Sequence, residues 1–344
     1  MLSKALPIGT VIKGEKFSYE IVSVLQADGQ GYTYRTNTPI MRNGKPEVLA
    51  TVLREHMMMR CSSRGDDGVS VVTPEDIAPT VDSCLDSFIF ASQERLKISK
   101  ACPWIINVLE TFSANNTYYY AVEYVDGESL EEYVENKGGK LNWEQTHTIL
   151  SPIFEAVRTL HRFHTLHTSI HPDHVRLAKR GERKVPILFS LYSSLHFSDT
   201  GLQRWTFPLM KCTEGFAPPE QYMEIDHFAP QIDIYALAAM MVFVLSGKRL
   251  PDSRKLSEEQ IRQILPPELP DNVVLALLNA LDPDMSKRTA TVTKFREELG
   301  SFLSPSSSDR NLSNDRSDND SETDASPSLM DRIKALLGLR GGRE

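Results

Sequence analysis

The chain has 344 residues, 40% of them hydrophobic and 24% charged, enough to bury one large core or two modest ones. Its net charge of −8 argues against a general nucleic-acid binder, which carries a basic face. The four cysteines, Cys61, Cys84, Cys102 and Cys212, lack paired ligand spacing, which argues against a disulfide framework or a cysteine zinc site and makes a reducing cytoplasm the default.

The opening Met-Leu-Ser-Lys-Ala-Leu-Pro has no apolar stretch long enough for a signal peptide. Residues 18–36 have strand character on both sides of a Gly-containing turn and predict a hairpin. A second strand-like run spans Glu47–Leu53. Phe88–Ser99 reads as a helix, and Thr117–Tyr124 as a Tyr/Val-rich strand that ends at Asp126-Gly127. Beyond it the pattern is mostly helical: Leu130–Val134, Trp143–Phe163, Ile232–Leu245, Glu258–Ile264, Asn272–Leu281 and Thr291–Leu303. The apolar run Ile234–Leu245 is too short to span a bilayer and predicts a buried core helix. No stable membrane insertion is expected.

From Ser304 the composition changes to Ser, Asp and Asn with almost no apolar side chains. Residues 304–328 therefore predict a disordered linker, because little apolar burial is available to offset chain ordering. Residues 329–340 predict a short amphipathic helix. Leu329, Ile333, Leu336 and Leu337 share one face, Ser328 can cap it and Gly338 can end it. This helix is a candidate docking element, on the domain itself or on a partner.

Several ordered motifs carry a resemblance. The start combines Leu6-Pro-Ile-Gly-Thr10 with Tyr19-Glu-Ile21, and Gly127 is followed by Ser129-Leu130. His167-Thr-Ser-Ile-His-Pro-Asp-His174 comes next. Further on stand Gly215-Phe-Ala-Pro-Pro-Glu-Gln-Tyr222, Asp233-Ile-Tyr-Ala-Leu237 and Leu281-Asp-Pro-Asp-Met-Ser-Lys-Arg288. Together they resemble a eukaryotic-like serine/threonine protein kinase domain of the type found in bacteria, over residues 6–303. The resemblance implies an α+β bilobal fold, with a small β-rich N-lobe at about 6–125 and a larger helical C-lobe at about 126–303. It also implies structural roles for three residues: Glu220 would pair with Arg288, and Asp233 would hold the catalytic-loop backbone.

The same resemblance marks the chemical positions, and these are altered. A kinase catalytic loop places an Asp as proton acceptor, then a Lys, then a magnesium-binding Asn. Here Ser169, His171 and His174 stand there. The metal-binding Asp of the Asp-Phe-Gly segment is Ser190, and Tyr192 takes the place of its Gly. In the glycine-rich loop Gln26 and Asp28 replace two glycines and only Gly31 remains; Asp28 would repel a triphosphate. The third-strand Lys is Arg54, which keeps the charge with a different fork geometry. Its helix partner falls at Gln93 in gapless alignment and at Glu94 after a one-residue shift, so an Arg54–Glu94 pair stays open beside an exposed or otherwise paired Arg54. The hinge falls at Glu123–Tyr124.

His161, His164, His167, His171 and His174 recur every three or four residues, which raises metal binding, but two of them sit where the family often has His and the loop is not a continuous helix. No metal is expected. The resemblance with these substitutions implies a pseudokinase: no phosphotransfer, no cofactor, Mg-ATP binding disfavoured, the cleft plugged by side chains such as Tyr192 and Gln30. It would act in the cytoplasm as a scaffold or regulator in bacterial signalling, through a protein partner such as an active kinase or signalling complex. One alternative is a sensor that binds ATP or ADP without metal. Another is an atypical transferase using Ser169, His171 or His174, since His can act as a base.

Overall fold

The computed structural model describes residues 4–180, 183–198, 212–223 and 228–300. The linker at 304–328 and the helix at 329–340 lie outside the described residues. The chain begins with strands β1 (Val11–Lys13), β2 (Ser18–Asp28), β3 (Gly31–Arg42) and β4 (Lys45–His56). Two short strands, β5 (Ser63–Arg64) and β6 (Val71–Val72), lead into helix α1 (Ala78–Ala101). Strands β7 (Val108–Ala114) and β8 (Thr117–Glu123) complete the first part. The six main strands form one sheet in the order β1-β2-β3-β4-β8-β7, antiparallel throughout.

Alternation along these strands sends two sets of side chains to opposite faces. One set, including Tyr19, Tyr32, Tyr34, Leu53, Phe112 and Tyr119, makes the N-lobe core with Leu6 and Val71. Inside it Glu55, fully buried, takes a two-point ion pair from Arg64 at 2.6 and 2.7 Å and hydrogen bonds from the hydroxyls of Tyr34 and Tyr119. The 57–77 segment, which the sequence left unassigned, thus delivers the cation that neutralises a buried carboxylate. The other face of the sheet receives α1.

The rest is mainly helical: β9 (Gly127–Ser129), α2 (Leu130–Asn136), α3 (Trp143–Arg162), β10 (Thr165–Leu166), β11 (Val175–Arg180), β12 (Arg183–Leu188), β13 (Leu195–His196), α4 (Gln231–Ser246), α5 (Glu258–Ile264), α6 (Asp271–Ala280) and α7 (Val292–Leu299). Reciprocal capping boxes, Ser129/Glu132, Asn142/Gln145 and Ser257/Gln260, fix the starts of α2, α3 and α5. Helix α4 is buried all round from Ile232 to Leu245. It forms the axis of the C-lobe core with α3, α6 and α7. Gly127 is needed at the lobe boundary, because a Cβ there would lie 2.3 Å from the Leu177 carbonyl of the paired strand. The fold is α+β, a curled sheet over a helical lobe, as the sequence predicts.

The structure adjusts the sequence reading in places. Helix α1 starts ten residues before Phe88, at Ala78 with Pro79 in its first turn; Val81, Cys84 and Leu85 extend the helical spacing of Phe88 back into these turns. Helix α7 is helical over Val292–Leu299, and residues 301–303 of the predicted helix lie outside the described residues. No helix among the described residues is long and apolar enough to cross a membrane.

Candidate functional site

The segment 165–194 lies where the lobes meet. β10 pairs with β13, and β11 with β12, so the turn at 167–174 and the turn at 189–194 are brought side by side. Pro172–His174 is a single 3-10 turn. Asp233, in the first turn of α4, organises the first of these turns. Its Oδ2 accepts the His167 N–H at 2.7 Å and bonds His161 Nε2 at 2.9 Å, and its Oδ1 accepts the Thr168 N–H at 2.8 Å. Burial alone would raise the Asp233 pKa. The hydrogen bond and charge of His161, with the His167 contacts, outweigh burial and hold it below the usual carboxylate range.

The turn is further clamped by Gln221, whose amide donates to the Thr168 carbonyl at 2.8 Å, and by the Thr168 hydroxyl, which donates to the Ser193 carbonyl at 2.8 Å. The backbone of both turns is strained. Thr168 (φ 62°) and Ser190 (φ 67°) both occupy the left-handed region, at a cost of roughly 1–3 kcal/mol each for residues other than Gly. A conformation that costs free energy is thus enforced from three directions.

The side chains at the chemical positions are engaged differently. Ser169 Oγ is buried with no hydrogen-bond partner among the described residues. His174 Nδ1 bonds the Ser169 carbonyl at 2.6 Å, and its ring lies 3.8 Å from that of His171. His167 Nε2 bonds the Phe189 carbonyl at 2.9 Å, and burial lowers its pKa. The Tyr192 ring, half-buried, meets His174 edge-on at 6.2 Å. The rings of His167, His174 and His171 thus pack in a row, 6.1 and 3.8 Å apart, while His161 bonds Asp233. At the two metal-ligand positions this donor set offers a hydroxyl and an imidazole, whereas magnesium takes carboxylate, carbonyl or water oxygen; the residues present do not suit it.

Across the cleft the β2–β3 turn is closed onto β4. The Asp28 carboxylate accepts the Gln30 N–H at 2.9 Å and pairs with Arg54 at 2.7 Å, while Arg54 also donates to the Thr33 hydroxyl at 3.1 Å. Met57 and Met59 N–H groups donate to the Gln30 and Gly29 carbonyls. A Cβ on Gly31 (φ +144°) would lie 2.0 Å from the Glu55 carbonyl, so this glycine permits β3 and β4 to approach. Gln26 is half-buried on β2. At the hinge the Glu123 N–H donates to the Asn107 carbonyl at 3.0 Å.

The alternatives left open for Arg54 are decided here. It is neither exposed nor paired with Glu94; it is the otherwise-paired case, buried and bonded to Asp28, while Glu94 pairs with Lys97 and Gln93 points to solvent. The inward side of α1 carries Phe88, Ser92 and Arg95 instead. Gln30 closes the turn through its backbone carbonyl.

Arg95 went unnoticed in the sequence. It is 5% exposed, donates to the Ser194 hydroxyl at 3.2 and 3.3 Å and to the Tyr192 carbonyl at 3.4 Å, and lies 5.4 Å from the Tyr120 ring. Among the described residues no carboxylate pairs with it. Burial, with a further push from Arg54, lowers its pKa. Among the described residues, surface pockets of about 440 Å³ beside Leu85, Ile89 and Tyr118 and about 340 Å³ beside Arg158, Pro230 and Val292 are formed. Neither lies between the lobes.

His56 sits under the same sheet face, 5.0 Å from the Phe88 ring, with both ring nitrogens buried and unpartnered among the described residues. Burial, then the charge of Arg54, lowers its pKa from 6.5 to about 4. The folded pKa lies below the unfolded one, so the unfolded chain takes up the proton first. Stability is full above pH 6.5 and is lost as the pH falls toward 4. His56→Phe should flatten this limb, which in the parent is worth on the order of 2–3 kcal/mol. Urea midpoints at pH 7 and 4.5 measure it, and equal slopes in both proteins would refute the assignment.

The structural residues close the far side of the site. Arg288 donates to both Glu220 carboxylate oxygens at 2.7 and 3.2 Å, to the Gln231 carbonyl at 2.9 Å and to the Asp282 carbonyl at 3.0 Å. Its guanidinium lies 5.1 Å from the Tyr235 ring.

Comparison with known proteins agrees with this architecture. The family model described as protein kinase domain matches residues 88–305. Tyrosine-protein kinase MasK of Myxococcus xanthus is 26% identical over 239 residues, covering 63% of this chain and 36% of that protein. Sperm motility kinase 2B of Mus musculus is 24% identical over 168 residues, 47% of this chain and 32% of that one. The chain thus spans about a third of the length of these relatives. Among solved structures, PpkA-294 in its apo form superposes with a TM-score of 0.60 at 23% identity, covering 86% of this chain and all of that one. The Mycobacterium tuberculosis PknI kinase domain gives 0.53 at 16%, covering 87% of this chain and all of that one. With its sheet, its Asp233-clamped turn and its Glu220–Arg288 pair, this chain belongs to the protein kinase domain family.

Proposed function

We propose that this kinase-family chain does not transfer phosphate and acts as a scaffold or regulator, through contact with a protein such as an active kinase. The observation that carries the reading is the contrast within this pair of adjoining turns. Its backbone is held in a strained form by Asp233, Gln221 and Thr168, while Ser169, His174 and Ser190 occupy the positions of the proton acceptor and both metal ligands. Phosphoryl transfer is catalysed by positioning and charge neutralisation, so these exchanges remove the groups that do the work. The Asp28–Arg54 pair adds to this, since it occupies the cation that would meet a phosphate. Four unpaired cysteines suit a cytoplasmic site of action.

The test is incubation with radiolabelled ATP and magnesium or manganese, with the chain itself and a generic protein as acceptors. No incorporation is expected. Incorporation that disappears in Arg54→Ala would overturn the reading, and incorporation lost in His171→Ala would favour a different transferase. A second reading, a metal-free nucleotide sensor, draws on Arg95, a buried cation with no carboxylate partner among the described residues. It requires ADP in EDTA to raise the melting temperature of the parent and to leave Arg95→Leu unmoved; an unmoved parent removes it.

A further inference from the structure

Strands β3 and β4 run on past the rest of their sheet. The register of β2 on β3 begins at Glu20–Asn37, and that of β8 on β4 at Thr51–Glu123. Residues 38–42 and 45–50 therefore form a two-stranded ribbon, with no further strand on either edge among the described residues. The ribbon is well specified. Its turn is Asn43-Gly44, with φ of 50° and 74°, the sequence and geometry favoured by two-residue hairpins, and Arg42 pairs with Glu47 across it at 3.1 Å.

One face of this ribbon is apolar and uncovered. Pro39 lies opposite Val48 and Met41 opposite Pro46, all four are exposed, and Met41 and Val48 are 61% and 67% accessible. A projecting ribbon is marginal in water by itself. Natural edges are usually blunted with charge on such faces, whereas here only the prolines and the tip charges serve that purpose. By alternation the row continues the face that carries Arg35, Val52 and Arg54, which leads into the cleft between the lobes.

The size of the row bears on what covers it. Four side chains fall far short of the roughly 800 Å² and 20–30 residues a side that a stable contact between separate molecules occupies. A segment tethered to the same chain needs much less, because its effective concentration is on the order of millimolar. Such a segment follows Gly300. Residues 301–328 separate it from 329–340, where Leu329, Ile333, Leu336 and Leu337 recur at helical spacing. A chain of that many residues spans about 30 Å root-mean-square as a random coil and about 95 Å when stretched. A domain of this size is only about 50 Å across, taking its radius of gyration as roughly 19 Å, so the tether reaches any point on it.

We propose that residues 329–340 dock through Leu329, Ile333, Leu336 and Leu337 on the Pro39, Met41, Pro46 and Val48 face of their own chain, at the mouth of the cleft. The contact is independent of whether the chain transfers phosphate. The test is hydrogen exchange read by mass spectrometry on the full chain, comparing the parent with Leu336→Asp/Leu337→Asp and with Met41→Ser/Val48→Ser, all changes outside the core of the lobes. Amides of residues 38–49 should exchange about tenfold faster in the tail variant, and those of 329–340 about tenfold faster in the ribbon variant. Neither change should depend on protein concentration, and α4 should be unaffected. Ribbon exchange unchanged in the tail variant overturns the proposal. So does protection that grows with protein concentration, which assigns the face to a second copy. Deprotection centred on Leu85 and Ile89 also overturns it, placing the tail in the cavity beside α1.

Discussion

Arg288→Met is expected to destabilise the chain by roughly 3–5 kcal/mol, the cost of leaving one member of a buried ion pair uncompensated. Glu220 is 7% exposed and the Arg288 guanidinium bonds both of its carboxylate oxygens. Removing the arginine strands that charge, and it also strands the Gln231 and Asp282 carbonyls. Glu220→Gln should cost less, because its amide oxygen still accepts from Arg288. The double variant Glu220→Gln/Arg288→Met should recover part of the loss, since no buried charge is left. Urea denaturation of the four proteins measures this, and additivity of the single effects would show that the two residues do not act as a pair.

Asp233→Ala should be of similar size, roughly 3–5 kcal/mol. It leaves the buried N–H groups of His167 and Thr168 without an acceptor and removes the partner of His161, and each unsatisfied buried group costs about 1–3 kcal/mol. Unlike the Arg288 change, this one acts locally. Hydrogen exchange should accelerate first at 165–171, where the left-handed Thr168 has lost its main restraint. The pH dependence has a definite sign. The folded carboxyl lies below its ordinary pKa, so its contribution is complete above about pH 4, the unfolded value, and is lost as the pH falls further. Asp233→Asn should therefore show a shallower acid limb than the parent. An acid limb as steep as the parent's, or a stability loss below about 0.5 kcal/mol in Asp233→Ala, would refute the role.

Much of this was legible because the signals are local. The hairpin around Gly29, the Tyr-rich strand at 117–123 and the uniformly apolar α4 follow from alternation, turn chemistry and composition. Spacing and motif likewise pointed to the resemblance on which Glu220, Asp233 and Arg288 were chosen. The 57–77 segment was not legible, since its contribution is one arginine, Arg64, reaching a carboxylate nine positions earlier inside a core.

The inward face of α1 was the clearest failure, and the reason is geometric. One residue along a helix turns a side chain by about 100°, so Gln93, Glu94 and Arg95 point in three directions. The helix has too weak an apolar stripe to fix its rotation from sequence. Packing of Phe88 against His56, Tyr118 and Tyr120 fixes it, and Arg95 then faces Tyr192 and Ser194. The Asp28–Arg54 pair is of the same kind, because it joins two strands through a third and depends on sheet register.

The sequence alone thus determined the α+β framework, because periodicity is a property of the chain itself, while the residue types at the chemical positions came from the resemblance its motifs carry. Only the tertiary structure decided which charges meet inside the N-lobe. Asp28–Arg54 and Glu55–Arg64 join residues on different strands, and strand register brings them together only once the sheet is packed.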